Sequence, residues 1–376
     1  MQKNQKKPLL AIPWVQTLLA SLLCILLGLL VGYIALLIIN PEGAWEAICN
    51  IIKNYMTYSR QNLQLKNLGN TLVKTVPLLM CALSVLFAYK VGLFNIGAAG
   101  QYVVGIGASL YCALGLGLPW YVCMLAAIVA GGLTGAISGA LKAYCNVNEV
   151  ISCIMLNWIS LYAVNMLLGT VKESTSPYTL RISTVNPSAL IPTLGMGAWF
   201  GKNAYVGLSL PLALVIAVAI WVILEKTKLG FELKATGLNK NAARYAGMAE
   251  KRNIILTMAI AGALAGLAAA MFYLTDFEQW STTTASVPGM GFNGIAAAFL
   301  GGLNPIGTIF ASYFIQHITN GGAFVDLTKY SSQISDLISS VIIYLCAFVL
   351  FFKQYLGKRS ARMLEKAALK EGGKQA

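Results

Sequence analysis

The residues best suited to chemistry in this chain are few and mostly neutral. Asn95, Gln101, Asn157, Asn293 and Gln316 stand inside long apolar runs, with Phe94, Trp158 and Phe292 nearby. Amides in that setting can hydrogen-bond hydroxyls or ring edges, and aromatic faces can stack on a planar base or a sugar face. Such a set suits a neutral polar solute and does not choose between a sugar and a nucleoside. The ionisable candidates are Lys74, Glu149 and Asp336, each toward the end of an apolar run. Snorkelling or a first-turn carboxylate complementing the helix dipole accounts for them. The buried charge that an ion-coupled carrier needs is therefore not evident. Metal and nucleophilic chemistry lack donors as well. There is one histidine, His317, and the eight cysteines (24, 49, 81, 112, 123, 145, 153 and 346) show no CxxC or metal spacing. The cysteines read as small apolar core residues, and His317 as a satisfied bundle residue.

The elements that carry these residues belong to a membrane. The 376 residues are 57% hydrophobic and 11% charged, with a mean hydropathy of +0.70. A soluble domain carries about a quarter charged residues. The apolar residues come in runs of roughly 20, the length that crosses about 30 Å of hydrocarbon. Lys3, Lys6 and Lys7 precede an apolar stretch from Leu9 to Ile39. That stretch is too long for a signal peptide and lacks a small-residue cleavage site, so it reads as a retained first span.

The hydropathy pattern predicts ten crossings, at 15–39, 68–88, 98–117, 119–141, 150–169, 204–224, 253–274, 291–302, 305–320 and 335–352. Two outer loops are long, 40–67 and 170–203, the second broken by Pro177, Pro187 and Pro192. With the N-terminus inside, 19 of the 27 Lys/Arg fall on the cytoplasmic side, seven of them between 226 and 252 and seven after Phe352. That asymmetry predicts both termini in the cytoplasm and an even number of spans. It also accounts for the net charge of +14 without nucleic acid, because the basic residues sit in short loops and form no single face.

Two pairs of segments hint at duplication. Gly92-Leu-Phe-Asn-Ile-Gly-Ala-Ala-Gly100 is like Gly291-Phe-Asn-Gly-Ile-Ala-Ala-Ala-Phe299, and Glu149-Val-Ile-Ser is like Asp336-Leu-Ile-Ser. In each pair one member starts on the cytoplasmic side and the other outside, so spans 1–5 and 6–10 are expected to be inverted repeats with a pathway at their interface. Each Phe-Asn stretch is expected to interrupt a span. Irregular backbone at that depth survives only where protein or water satisfies it, which favours a pathway lining for Phe94, Asn95, Phe292 and Asn293; a tight turn at the membrane edge is the alternative. Gly131, Gly135 and Gly139, and likewise Gly262 and Gly266, recur every four residues and predict close helix packing.

The inner loop 225–252 is the longest between spans. Asn239 is a candidate N-cap and Gly247 a stop, predicting a short helix over 240–246. Its Ala242, Ala243 and Ala246 would let a partner surface approach closely.

Four segments in order, Gly92-Leu-Phe-Asn-Ile-Gly-Ala-Ala-Gly-Gln101, Asn148-Glu-Val-Ile151, the loop from Gly230 to Gly247, and Gly289-Met-Gly-Phe-Asn-Gly-Ile295 with Asn304-Pro-Ile-Gly307, resemble the branched-type permease family of ATP-binding-cassette importers, ribose and nucleoside branch. Ala99 departs from that pattern, where many relatives have Glu. The resemblance implies an all-α polytopic bundle, a single permease domain over 1–376 with 1–14, 225–252 and 353–376 in the cytoplasm of a bacterial plasma membrane. It implies a coupling helix at 237–247 that docks in a groove of an ATPase through Gly237, Asn239, Ala242, Ala243, Arg244 and Gly247. The pathway residues expected from the neutral amides and aromatics are Phe94, Asn95, Gln101, Asn157, Trp158, Phe292 and Asn293.

No Gly-x4-Gly-Lys-Ser/Thr phosphate loop occurs in the chain. The ATPase is thus expected on a separate subunit, with no cofactor and no covalent chemistry here. An extracytoplasmic solute-binding lipoprotein would deliver the solute. The long 170–203 loop, the extended N-terminus and Ala243-Arg-Tyr-Ala-Gly247 are most similar to the larger permease of nucleoside importers, which pair two unlike permeases; ribose- or galactose-type sugars are the second expectation.

Overall fold

The computed structural model describes residues 12–326, 328–331, 333–346 and 348–359, without the side chains of residues 13, 14, 335 and 346. Lys3, Lys6, Lys7 and most of the basic tail lie outside the described residues. Among the described residues the helices follow in this order: α1 (Pro13–Ile39), α2 (Ala44–Lys53), α3 (Gln61–Lys90), α4 (Ala98–Leu114), α5 (Trp120–Cys145), α6 (Glu149–Leu168), α7 (Ile182–Val185), α8 (Ser209–Lys226), α9 (Lys228–Leu238), α10 (Lys240–Tyr245), α11 (Glu250–Tyr273), α12 (Met290–Leu300), α13 (Pro305–Gly321) and α14 (Ile334–Cys346), with a further helix over Val349–Arg359. Among the described residues extended pairing is limited to the isolated bridges Lys172 with Thr179 and Tyr178 with Ser281. The fold is all-α.

A helix occupies every stretch expected to cross. Six of them (α1, α3, α5, α6, α8 and α11) are long and apolar enough to do so alone, and a bent pair, Asp336–Leu345 with Val349–Arg359, makes a seventh. α4 and α12 are apolar but shorter. The difference from ten lies in the lengths of α4, α12 and α13, whose 11 to 17 residues rise about 17 to 26 Å at 1.5 Å per residue.

α3 and α11 form the centre, with 89% and 72% of their apolar stretches buried against 22% for α1 and 28% for α8. Their packing is reciprocal: α3 lies against α11, α12 and α13, while α11 lies against α3, α4 and α5. The two glycine series are each other's partners. A methyl group at Gly131 would be driven into the carbonyl of Gly262, and one at Gly135 into that of Met258. Backbone can approach this closely only where side chains are absent.

The 40–67 segment is less loop-like than its polarity predicts. α2 buries Ala44, Ala47, Ile48 and Ile51 on one face, and α3 begins at Gln61. His317 holds this region down. Its Nε2 donates to the Ile52 carbonyl at 2.8 Å, while Asn54 Nδ2 donates to the His317 carbonyl at 2.8 Å and faces its Nδ1 at 3.4 Å. The expected role as a bundle residue fits those contacts. The seven described cysteines are unbonded to one another.

Candidate functional site

The α3–α4 turn is the first place where the sought-after amides gather, and they gather inward. Asn95 Nδ2 donates to Ser84 Oγ at 3.0 Å and to Gln101 Oε1 at 2.8 Å; Gln101 Nε2 returns a bond to Asn95 Oδ1 at 3.1 Å. Both residues are almost fully buried. Asn157, on α6, accepts from the Gly100 backbone N–H at 2.8 Å and donates to the Ile96 carbonyl at 3.2 Å. A methyl at Gly100 would strike the Asn157 backbone, so this glycine is what lets α6 come close. Asn95, Gln101 and Asn157, expected to line a pathway, are buried and hydrogen-bonded in a clasp that joins α3, α4 and α6. Buried amides favour such mutual satisfaction, since an unpaired one costs about 1–3 kcal/mol.

The second Phe-Asn stretch does not break a helix. Gly291, Phe292 and Asn293 form the first turn of α12, whereas Phe94 and Asn95 sit in the turn between α3 and α4. The two stretches nevertheless meet: Gly291 packs on the backbone of Ala99, and Gly294 on Cys81 and Ala82 of α3. Ala99 is fully buried there, which explains a small residue at that position. Phe94 and Asn293 are half-buried and Phe292 is 38% exposed.

Trp158 behaves differently from the amides. It is 43% exposed and stacks on Tyr162, with centroids 6.2 Å apart and planes at 25°. Met155, Trp158, Tyr162 and Met166 form an exposed stripe down α6. The exposed large apolar side chains of α1 and α8 are Leu, Ile and Val, and α6 also carries exposed aliphatic residues at Ile151, Ile154 and Ile159. Aromatic residues and Met are enriched where proteins meet partners or ligands, while lipid is met equally well by aliphatic side chains.

The 228–247 segment is sewn to the bundle at Gly230, Thr236 and Gly237. Thr227 caps α9 through the Gly230 N–H at 3.1 Å, and Gly230 packs on α8 at Ile223 and Leu224. Thr236 Oγ1 accepts from Asn253 Nδ2 of α11 at 2.8 Å, in a buried position. Gly237 lies back to back with Gly92, and any side chain on it would enter the Val91 carbonyl. Gly92 itself has φ +78°, the left-handed conformation that costs glycine nothing.

α10 follows with both ends capped. Asn239 Oδ1 accepts from the Ala242 N–H at 3.0 Å. At the other end Gly247, φ +79°, donates to the Arg244 carbonyl and Met248 to the Ala243 carbonyl, each at 3.0 Å. That pair of bonds is a Schellman stop. The helix predicted over 240–246 is thus present.

Its faces differ from the expectation. Ala243 is buried within its own chain at 3% exposure and supports α10. Ala242, Arg244 and Ala246 are exposed. So are two residues that the small-residue argument passed over, Leu238 at 89% and Tyr245 at 93%. Their signal was present in the sequence as apolar residues inside a basic loop. Nearby, Lys142 of α5 pairs with Glu149 of α6 at 2.7 Å, and Lys251 sits over the Tyr144 ring at 4.9 Å.

At the opposite end the 170–203 segment is pinned to the residues after α11. Asp276 accepts from the Ile182 N–H at 3.2 Å, the Ser183 N–H at 3.3 Å and Ser183 Oγ at 2.5 Å. Trp280 Nε1 donates to Asn165 Oδ1 at 2.9 Å. Glu173 lies below the usual carboxylate range because Ser176 and then Gln279 hydrogen-bond its charged form. Among the described residues no three His, Cys, Asp or Glu side chains cluster as metal ligands would.

Residues 67–347 match the family model described as branched-chain amino acid transport system / permease component. The chain is 33% identical to the guanosine ABC transporter permease protein NupP of Bacillus subtilis, over 91% of this chain and 96% of that one. It is 32% identical to the nucleoside ABC transporter permease protein NupB of Lactococcus lactis, over 95% and 98%. The glucose ABC transporter permease protein TsgB13 of Haloferax volcanii is 31% identical over 77% and 78%.

Proposed function

Because this chain belongs to the branched-chain amino acid transport system / permease component family, we propose that it is the membrane permease of an ATP-binding-cassette importer for nucleosides. The observation that carries the coupling is the contact of Gly237 with Gly92. Through it the exposed α10 unit bears directly on the turn that holds the Asn95–Gln101–Asn157 clasp. A partner ATPase that moves Leu238, Arg244 and Tyr245 would push α9 against the α3–α4 turn and, through Asn157, shift α6. A rigid lever joined to packed helices transmits such a displacement because packed interfaces switch between discrete arrangements. ATP is used by that separate subunit.

The solute passes along the α6 stripe. Trp158 and Tyr162 supply stacking faces for a base, and a second, unlike permease closes the other side. A solute-binding lipoprotein docks on the pinned 170–203 segment. Ten crossings are supported by α4, α12 and α13 completing the six long helices and the bent pair. The reciprocal packing of α3 and α11 supports two inverted repeats, and the excess of Lys/Arg on 226–252 and beyond 352 supports both termini inside.

Sugar transport is a second reading, favoured by the similarity to TsgB13. Uptake of labelled guanosine, uridine, ribose and glucose in cells with and without the chain separates the two. Nucleoside uptake is expected to disappear on deletion and return with the gene, with sugar uptake unchanged. Loss of sugar uptake with nucleoside uptake intact overturns the choice of solute.

A further inference from the structure

A cavity of about 710 Å³ lies between α1 and the α12–α13 turn, apart from both the amide clasp and the α6 stripe. Its walls are apolar: Leu18 and Leu22 from one side, Phe310 and Phe314 from the other. Leu18, Leu22 and Phe310 are 53%, 46% and 72% exposed, so the cavity opens sideways through the bilayer-facing surface. At one end stand two ammonium groups, Lys90 at the close of α3 and Lys353. The lining contains no Asp or Glu, and neither lysine has a carboxylate within ion-pair distance among the described residues. The nearest acidic neighbour, Glu225, bonds to Lys234 at 3.2 Å. α13 also begins here, so the positive end of its dipole adds to the field.

We infer that this cavity is a binding site for an anionic phospholipid, with its phosphate at Lys90 and Lys353 and an acyl chain along Leu22, Phe310 and Phe314. A neutral solute has no use for two lysines that have no carboxylate partner among the described residues. A free anion has no use for an apolar channel leading away from them. The cavity floor is structural: Ser21 Oγ donates to the Leu300 carbonyl at 2.6 Å, tying α1 to the end of α12. A lipid seated above that bond would hold α1 against the α12–α13 turn, next to the helix end that meets Gly237. That the lipid comes from the cytoplasmic leaflet rests on the orientation proposed above; the binding itself does not.

The test is native mass spectrometry of the purified full chain in detergent, titrated with phosphatidylglycerol or phosphatidylcholine of equal acyl length. The native chain should retain phosphatidylglycerol preferentially. Each lysine facing an anionic headgroup is worth about fivefold, so Lys353→Gln should lower that preference about fivefold and K90Q/K353Q about thirtyfold. The paired arginine variant should keep it, and Phe310→Ala should weaken retention of both lipids. Equal retention of the two lipids by the native chain overturns the proposal, as does a preference unchanged in Lys353→Gln and in the double variant. Full displacement by inorganic phosphate together with unaltered binding in Phe310→Ala would reduce the site to a free-anion site and also overturn it. Absent nucleoside uptake with the lipid preference intact would count against the transport reading alone.

Discussion

Tyr245 and Ala243 lie two residues apart on one short helix and face opposite surroundings, the first 93% exposed and the second 3%. Substitutions at the two should therefore fail in different ways. Tyr245→Ala or Ala242→Asp is expected to cut uptake at least tenfold and weaken copurification of the ATPase, with thermal stability of the permease unchanged, because exposed substitutions rarely move stability by more than about 0.5 kcal/mol. Ala243→Asp places a carboxylate in a buried site, at a cost of several kcal/mol, and should lower the thermal midpoint in detergent as well as uptake. The clasp makes a separate prediction. Asn157→Leu leaves the Gly100 N–H and the Ile96 carbonyl without their partner, about 1–3 kcal/mol for each group that stays dry. A drop in midpoint larger than that of Trp158→Ala, whose ring is 43% exposed, is the expected result.

Among the elements, α5 and α11 depend most on what they lack. Gly131 and Gly135 on one, Gly262 and Gly266 on the other, let the backbones touch. Gly135→Val should prevent that approach and reduce the yield of monodisperse protein severalfold on size exclusion, since overpacking alone typically costs about 1–3 kcal/mol and here the obstacle is backbone. The four-residue spacing made this contact legible in advance. The inward turn of Asn95, Gln101 and Asn157 was not legible, because an amide in an apolar run looks the same whether it meets a solute or another amide. α2 was hidden for a related reason: ten residues of mixed polarity carry too few apolar positions to stand out from a loop.

For the whole molecule, orientation and assembly decide function. Cys145 is exposed at the α5–α6 connection, beside the proposed inner end. An impermeant maleimide should label it in inside-out vesicles and leave it unlabelled in intact cells; the reverse pattern would invert the topology. The α6 stripe belongs to this scale too, since one permease supplies only part of a pathway. Trp158→Ala should raise the nucleoside concentration for half-maximal uptake about tenfold, in line with about 1–3 kcal/mol for a base stacked on an aromatic ring, while a full complex still assembles.

Composition, hydropathy and loop charge by themselves determined that the chain is a helical membrane protein, and the short motifs from Gly92 to Gly307 determined its family. Those properties are carried by residue type and local spacing, so they survive without knowledge of neighbours. The locations of caps at Asn239 and Gly247 were determined in the same way. Only the tertiary structure decided which amides are consumed in the clasp and that Ala243 supports while Tyr245 projects. It alone brought Gly237 onto Gly92 and Gly291 onto Ala99, and it placed Lys90 beside Lys353. Each of those outcomes depends on residues tens to hundreds of positions apart, where helix packing fixes distance and the sequence carries no mark of it.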